Sequence, residues 1–287
     1  MPKFDYVRPG SLEEAILLVN DDKFTSKFLA GGTDVMVYLH HECPDFDRVI
    51  DISQMQDLKI IQKNDSHVTL GAGVTFTEAI KSDILNDEAP VLVAACKSVG
   101  SPQIRNAGTI GGNIVNAAAC ADSLPALVAL DARAHLRGKD GQRNLLVADF
   151  VKGPNRTEIK SGELLTHFTF PVPVKNTRSA FIKLGRRNAQ AISRLTVAAL
   201  GKLDPQGKVE FARIAPGAAT SRTRRFTEVE EMLLGKMITE ELIESASQKT
   251  AEVMIEITGR RWSTEYKEPA LAALTRKALS NVFLTNN

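Results

Sequence analysis

The sequence predicts an α+β protein of two domains, and three observations carry that prediction. Strand-like and helix-like segments alternate through the first 175 residues instead of separating by class. A polar, proline-bounded stretch, PVKNTRSA, then interrupts the pattern. Beyond it, two strands of a new sheet precede a run of amphipathic helices. The expected division is a larger domain over 1–175, itself in two parts of about 1–56 and 57–175, and a smaller α+β domain over 176–287.

The elements follow in order. Ser11-Leu12-Glu13-Glu14 reads as a capping box opening the helix LEEAILLVN. A short strand and a Gly-Gly turn come next, in KFLAGGTDVMVYL, and RVIDI at 48–52 is another short strand. LKIIQKNDSHVTLGAG reads as a hairpin turning at Asn64-Asp65, and Thr75-x-x-Glu78 caps a following helix. A second Gly-Gly unit lies in RNAGTIGGNIVNAAACADSLPALVAL, where a turn would place Gly111 and Gly112 at positive φ. DARAHLRG, a turn at Lys139-Asp140-Gly141, and the strand ELLTHFTFPVP, ended by Pro171 and Pro173, close the larger domain. In the smaller one, SAFIKLGRRNAQAISRLTVAALGKL gives two strands joined by a polar turn around Arg186 to Asn188. Helices follow, opened at Thr227-x-x-Glu230 and after Thr239, and the last carries Leu271, Leu274, Ala278 and Val282 on one apolar face.

Composition excludes several classes. Of 287 residues, 43% are hydrophobic and 24% charged, as in a globular chain with a sizeable core. The 36 basic and 34 acidic residues are spread along the sequence, so neither nucleic acid nor an anionic membrane is expected as partner. No run approaches a membrane span, and the charged start MPKFDYVRPGSLEEA is no signal peptide, so a cytoplasmic location and no membrane insertion are expected. Cys43, Cys96 and Cys120 form no C-x-x-C, which leaves neither a disulfide framework nor a metal or iron-sulfur site encoded in this chain. His40-His41 lacks a second ligand pair, and Arg222, Arg224 and Arg225 in SRTRRF read as a solvated loop.

The two glycine units carry the chemistry. A Gly-Gly turn ahead of a helix leaves backbone N–H groups open to a phosphate. Two such turns can converge on the two phosphates of a dinucleotide, with Thr33, Asp34, Thr109 and Asn113 beside them as short hydrogen-bonding side chains. Neither turn matches G-x-G-x-x-G or the P-loop. Asp122 reads equally as a helix N-cap or as a ligand.

AGGTDVMVYL, RNAGTIGGNIVNAAACADSLPAL, GELLTHFTFP and FIKLGRRNAQAIS, in that order, resemble the FAD-binding medium subunit of molybdenum hydroxylases, the group of xanthine, nicotinate and carbon monoxide dehydrogenases. The resemblance implies a two-subdomain FAD-binding domain of the vanillyl-alcohol oxidase (PCMH) type and a carbon monoxide dehydrogenase flavoprotein-like C-terminal domain. It implies FAD in this chain, with molybdopterin and 2Fe-2S clusters on a large and a small partner subunit, and electrons passed through FAD to NAD or another acceptor. No catalytic residue and no metal ligand of this chain is implied. Leu29, Ala30, Gly31, Gly32, Thr33, Asp34, Val35 and Met36 match the family's first pyrophosphate loop, and Thr109, Ile110, Gly111, Gly112 and Asn113 its second. Asp122 matches a cofactor-contacting aspartate, and Val99 falls where some members place an aromatic near the adenine. Leu165 matches a residue packed on the isoalloxazine ring and Lys183 a lysine near the flavin, although a core leucine and a solvated strand lysine are the plain readings of both. A stand-alone flavin oxidoreductase of the same superfold and a non-catalytic nucleotide-binding scaffold are the competing readings.

Overall fold

The computed structural model describes residues 4–41, 45–187 and 189–284, so Cys43 and Asn188 lie outside the described residues. The chain opens with β1 (Asp5–Val7), α1 (Leu12–Val19), β2 (Ser26–Leu29), α2 (Val35–His41) and β3 (Arg48–Asp51). β1 and β2 both pair in parallel with β3, giving the order β1-β3-β2. Parallel pairing needs a crossover between strands, and α1 and α2 supply the two crossovers. Ser11 caps α1 by accepting from the Glu14 amide at 3.1 Å, while the Glu14 carboxylate reaches past Ser11 to the Gly10 amide at 2.6 Å. A small core of Ala15, Ile16, Ile50, Ile52, Leu58 and Leu164 closes beneath.

The second part contains β4 (Ile61–Lys63), β5 (His67–Gly71), α3 (Phe76–Lys81), α4 (Asp83–Glu88), α5 (Pro90–Ser98), α6 (Pro102–Ala107), α7 (Ile110–Asn116), α8 (Ser123–Ala129), β6 (Arg133–Gly138), β7 (Gly141–Leu146), α9 (Val147–Phe150), β8 (Val151–Gly153), β9 (Arg156–Thr157) and β10 (Leu164–Pro171). Five strands form an antiparallel sheet in the order β4-β5-β10-β6-β7. Asn64 turns the β4–β5 hairpin, its side-chain oxygen accepting from the amides of Ser66 and His67, both at 2.9 Å. The Thr75–Glu78 capping box that opens α3 is complete in both directions. One face of the sheet meets the helices through Leu70, Phe168, Phe170, Leu92, Ile110 and Leu127, all buried.

The last part is an antiparallel sheet of β11 (Arg178–Leu184), β12 (Leu195–Leu203) and β13 (Val209–Gly217), followed by α10 (Thr227–Leu233), α11 (Glu240–Thr258) and α12 (Thr264–Phe283). β12 is buried from Leu195 through Gly201 because both its faces are covered. Ala198, Leu200 and Ala215 join the core of the preceding part, whereas Val197, Ala199 and Ile214 pack with Leu271, Ala278 and Val282 of α12.

Three sequence readings change here. β13 was not anticipated, although VEFARIA alternates after the Asp204–Gly207 turn. The N-cap of α10 is Phe226, with no side-chain cap, and Glu230 instead accepts from the Ile214 amide at 2.8 Å. SRTRRF is no free solvated loop. Arg222 pairs with Asp149, Arg224 with Glu228, and Arg225 with both Asp131 and Glu230, so the segment is tied by ion pairs to the end of α8 and to α9.

Candidate functional site

A cleft of about 870 Å³ runs between the small parallel sheet, the α6–α8 segment and β11. That volume lies toward the upper end of the ~300–1,000 Å³ typical of cofactor and ligand sites.

The β2–α2 connection forms one wall. Gly32 takes φ +71, the left-handed region that favours glycine. Gly31 is glycine for another reason: a Cβ there would lie 1.9 Å from the Ala107 carbonyl oxygen and 2.9 Å from the Gly108 Cα. The first glycine loop therefore rests backbone to backbone on the end of α6, immediately before the second. Among the described residues the amides of Gly31, Gly32, Thr33 and Asp34 donate to no protein acceptor, and all four residues line the cleft with Ala30 and Val35. Leu29 and Met36 do not line it; Leu29 packs under Gly32, and Met36 is half exposed.

The second glycine unit differs from the expected strand-to-helix turn. α6 precedes it, and Gly111 and Gly112 lie in the first turn of α7 without positive φ. Their amides are also engaged within the protein. Ile110 donates to Val74 O, Gly111 to Ala72 O, Asn113 to Thr109 O, and Gly112 to Thr109 Oγ1, at 2.9 to 3.0 Å. Gly111 is required because a Cβ would meet Ala72 at 2.5 Å, whereas a Cβ on Gly112 would meet only Thr109 Oγ1, at 2.9 Å. What this unit offers the cleft is the bare Gly112 surface, the Thr109 hydroxyl and Asn113, whose side-chain oxygen accepts from Ser123 and leaves its amide donors to the cleft. Ile110 turns into the core and does not line the cleft.

Asp122 precedes α8 but makes no side-chain cap. Only 5% exposed, its carboxylate accepts from Lys183 Nζ at 2.6 Å, from Ser98 Oγ at 3.2 Å and from Ser193 Oγ. Burial pushes this carboxyl above the usual range, against the opposing pull of Lys183 and Ser193. Lys183 also donates to the Ser98 carbonyl at 2.9 Å, so it is not a solvated strand lysine, and its third N–H finds no acceptor among the described residues. Leu165, 3% exposed, and Val99 line the same cleft. Arg105 fixes the Val99 turn by donating to the carbonyls of Val99 and Gly100.

Ser98 and Ser193 had no sequence signal, since a serine hydroxyl becomes informative only once its acceptor is placed. Cys120, half-buried in the cleft wall, has its thiol pushed up by burial and by the Asp122 charge. His40 Nδ1 lies 2.6 Å from Met36 O, and the His41 side chain is outside the described residues. Among the described residues no group of three His, Cys, Asp or Glu is placed to hold a metal. No described helix is long and apolar enough to cross a membrane.

Comparison with known proteins assigns this architecture. Residues 2–173 match the family described as the FAD binding domain in molybdopterin dehydrogenase. The chain belongs to that family. Residues 179–282 match the CO dehydrogenase flavoprotein C-terminal domain. The chain is 32% identical to the xanthine dehydrogenase FAD-binding subunit of Escherichia coli O157:H7, over 96% of this chain and 94% of that one. It is 30% identical to the nicotinate dehydrogenase FAD-subunit of Eubacterium barkeri, over 98% and 97%. A solved carbon monoxide dehydrogenase from Hydrogenophaga pseudoflava shares its fold at a TM-score of 0.89 and 27% identity, over 98% and 97% of the two chains. As a member of the molybdopterin dehydrogenase FAD-binding family, the chain is a flavoprotein subunit of an oxidoreductase.

The cleft fits the dinucleotide. Four unengaged amides around a left-handed glycine form an anion-binding concavity, and the bare Gly112 surface lets a ligand approach the α7 backbone. The buried leucines Leu164 and Leu165 supply an apolar stretch suited to a flat ring.

Proposed function

We propose that the chain holds FAD in this cleft and passes electrons from the iron-sulfur clusters of a small partner subunit, loaded at a molybdopterin site on a large one, to NAD or another acceptor. One observation carries the reading: the two glycine segments, about 80 residues apart in sequence, meet at one cleft with Asp122, Leu165 and Lys183 in its wall. The names of relatives support the subunit role, among them the carbon monoxide dehydrogenase medium chain of Hydrogenophaga pseudoflava.

Bound FAD would supply the redox chemistry of the subunit. The protein's part is to bind and orient. Residues 29–36 serve the pyrophosphate through the amides of Gly31 to Asp34, and residues 109–113 serve it through Thr109, Asn113 and the open Gly112 face. Val99 would border the adenine end. Leu165 would offer an apolar surface to the ring, and Lys183, held by Asp122, would have one N–H left to donate to the cofactor. The boundary near residue 175 separates the FAD-binding domain, with its parts 1–56 and 57–175, from the C-terminal domain 176–287.

Purification from the native host tests the reading. Expected are flavin, iron and molybdenum in fixed ratio and two further chains. A metal-free single chain that turns over an organic substrate with flavin alone would contradict it.

A further inference from the structure

A second surface adjoins the cleft. Trp262, the only tryptophan of the chain, is 94% exposed in the α11–α12 turn. Four residues on, Tyr266 is half exposed under the Arg194 guanidinium, whose centre lies 5.6 Å from the ring. Arg194 ends the β11–β12 connection, whose residues Gln190, Ala191, Ile192 and Ser193 all line the cleft. The patch therefore runs from the cleft rim to Trp262. Arg194 and Arg261 form no ion pair among the described residues, and both stand close enough to Lys267 to add to the burial that lowers its ammonium pKa. Arg260 pairs with Glu268, and Glu265 is the other acid of the turn, so the face is net positive.

Leaving a tryptophan and a tyrosine in water beside unpaired arginines has no folding benefit, and Trp, Tyr and Arg are the residues that dominate binding hot spots. We propose that this face docks the iron-sulfur partner subunit, through an acidic rim on that subunit around an apolar centre that receives Trp262. Unpaired cations select a complementary negative face. A two-fold contact with a second copy would set the arginines against each other. The location suits an electron donor, because the patch borders the cleft that holds the cofactor under the proposed function, on which this inference rests.

The test uses the assembled native complex with Trp262 replaced by the photo-crosslinking residue p-benzoylphenylalanine. Irradiation should join this chain to the iron-sulfur chain, at a segment rich in Asp and Glu. Arg194→Glu combined with Trp262→Ser should lower the yield of co-purified iron-sulfur chain at least tenfold, while FAD per flavoprotein chain stays unchanged. Crosslinking to the molybdopterin chain or to a second copy, or none in an intact complex, overturns the docking assignment. So does full assembly of the double variant. Absence of FAD or of partner chains from the wild-type protein would instead defeat the proposed function itself.

Discussion

Lys183 Nζ lies 2.6 Å from Asp122 Oδ2, an ion pair that joins the first strand of the C-terminal sheet to the segment ahead of α8 at the wall of the cleft. Both partners are largely buried, and Ser98 and Ser193 complete the hydrogen bonding of the carboxylate. The pair therefore fixes the wall before any cofactor arrives.

Breaking one side of such a pair leaves a buried charge alone, at a cost of about 3–5 kcal/mol. Asp122→Ala is expected to lose stability on that scale. Asp122→Asn combined with Lys183→Met should cost less than the sum of the two single changes, with a coupling of about 1–3 kcal/mol. Urea unfolding of the four proteins measures it; additive single effects would show that the pair contributes no coupling.

The two glycine segments should respond differently to substitution. Gly31→Ala forces a methyl into the Ala107 carbonyl, an overpacking expected to destabilise the apoprotein by about 1–3 kcal/mol. Gly112 has ordinary helical geometry, and only the Thr109 hydroxyl is near its missing side chain. Gly112→Val should therefore leave the apoprotein folded and weaken FAD at least about tenfold, equivalent to ~1.4 kcal/mol. Thermal melts and FAD titration of both variants separate the outcomes, and equal FAD affinity for wild type and Gly112→Val would make Gly112 a packing glycine only.

The outer face of the large sheet carries a pH response. His135 and His167 stack with ring centroids 4.2 Å apart, and burial, followed by the charge of His167, lowers the His135 pKa to about 4. The unfolded chain takes up this proton near its ordinary value of about 6.5, whereas the folded chain resists until about 4. Stability should fall as pH drops through that window. Asp51, held down at about 2 by Tyr6, Ser53 and Arg8 against the cost of its burial, stays ionised in the folded state throughout. Melting temperature followed from pH 7 to 4 should decline less steeply in His135→Gln than in wild type, and parallel declines would remove His135 as a source.

Local signals made much of the fold legible. The Thr75–Glu78 box, the Asn64 turn and the strand ending at Pro171 depend on neighbours in sequence, and each stands where the residues indicate. The glycine segments could be read as loops of one site, but not how each serves it. Gly111 must lack a Cβ because of Ala72, and the amides of residues 110–113 are engaged by partners up to 39 residues away, as Gly111 N is by Ala72 O at 2.9 Å. Such contacts exist only after folding. Asp122 was ambiguous for the same reason, since choosing between a cap and a wall group required the position of Lys183, 61 residues later.

The central claim, that this cleft is a non-covalent FAD site, is tested most directly by titrating the folded apoprotein with FAD and then precipitating the complex with acid. The account predicts saturation at one FAD per chain and release of all the yellow colour into the supernatant, because residues 29–36 and 109–113 contain no histidine or cysteine to attach the flavin, and burial with the Asp122 charge keeps the Cys120 thiol of the cleft wall from ionising to a nucleophile. A folded chain that does not bind FAD, or flavin that stays with the protein pellet, would contradict it.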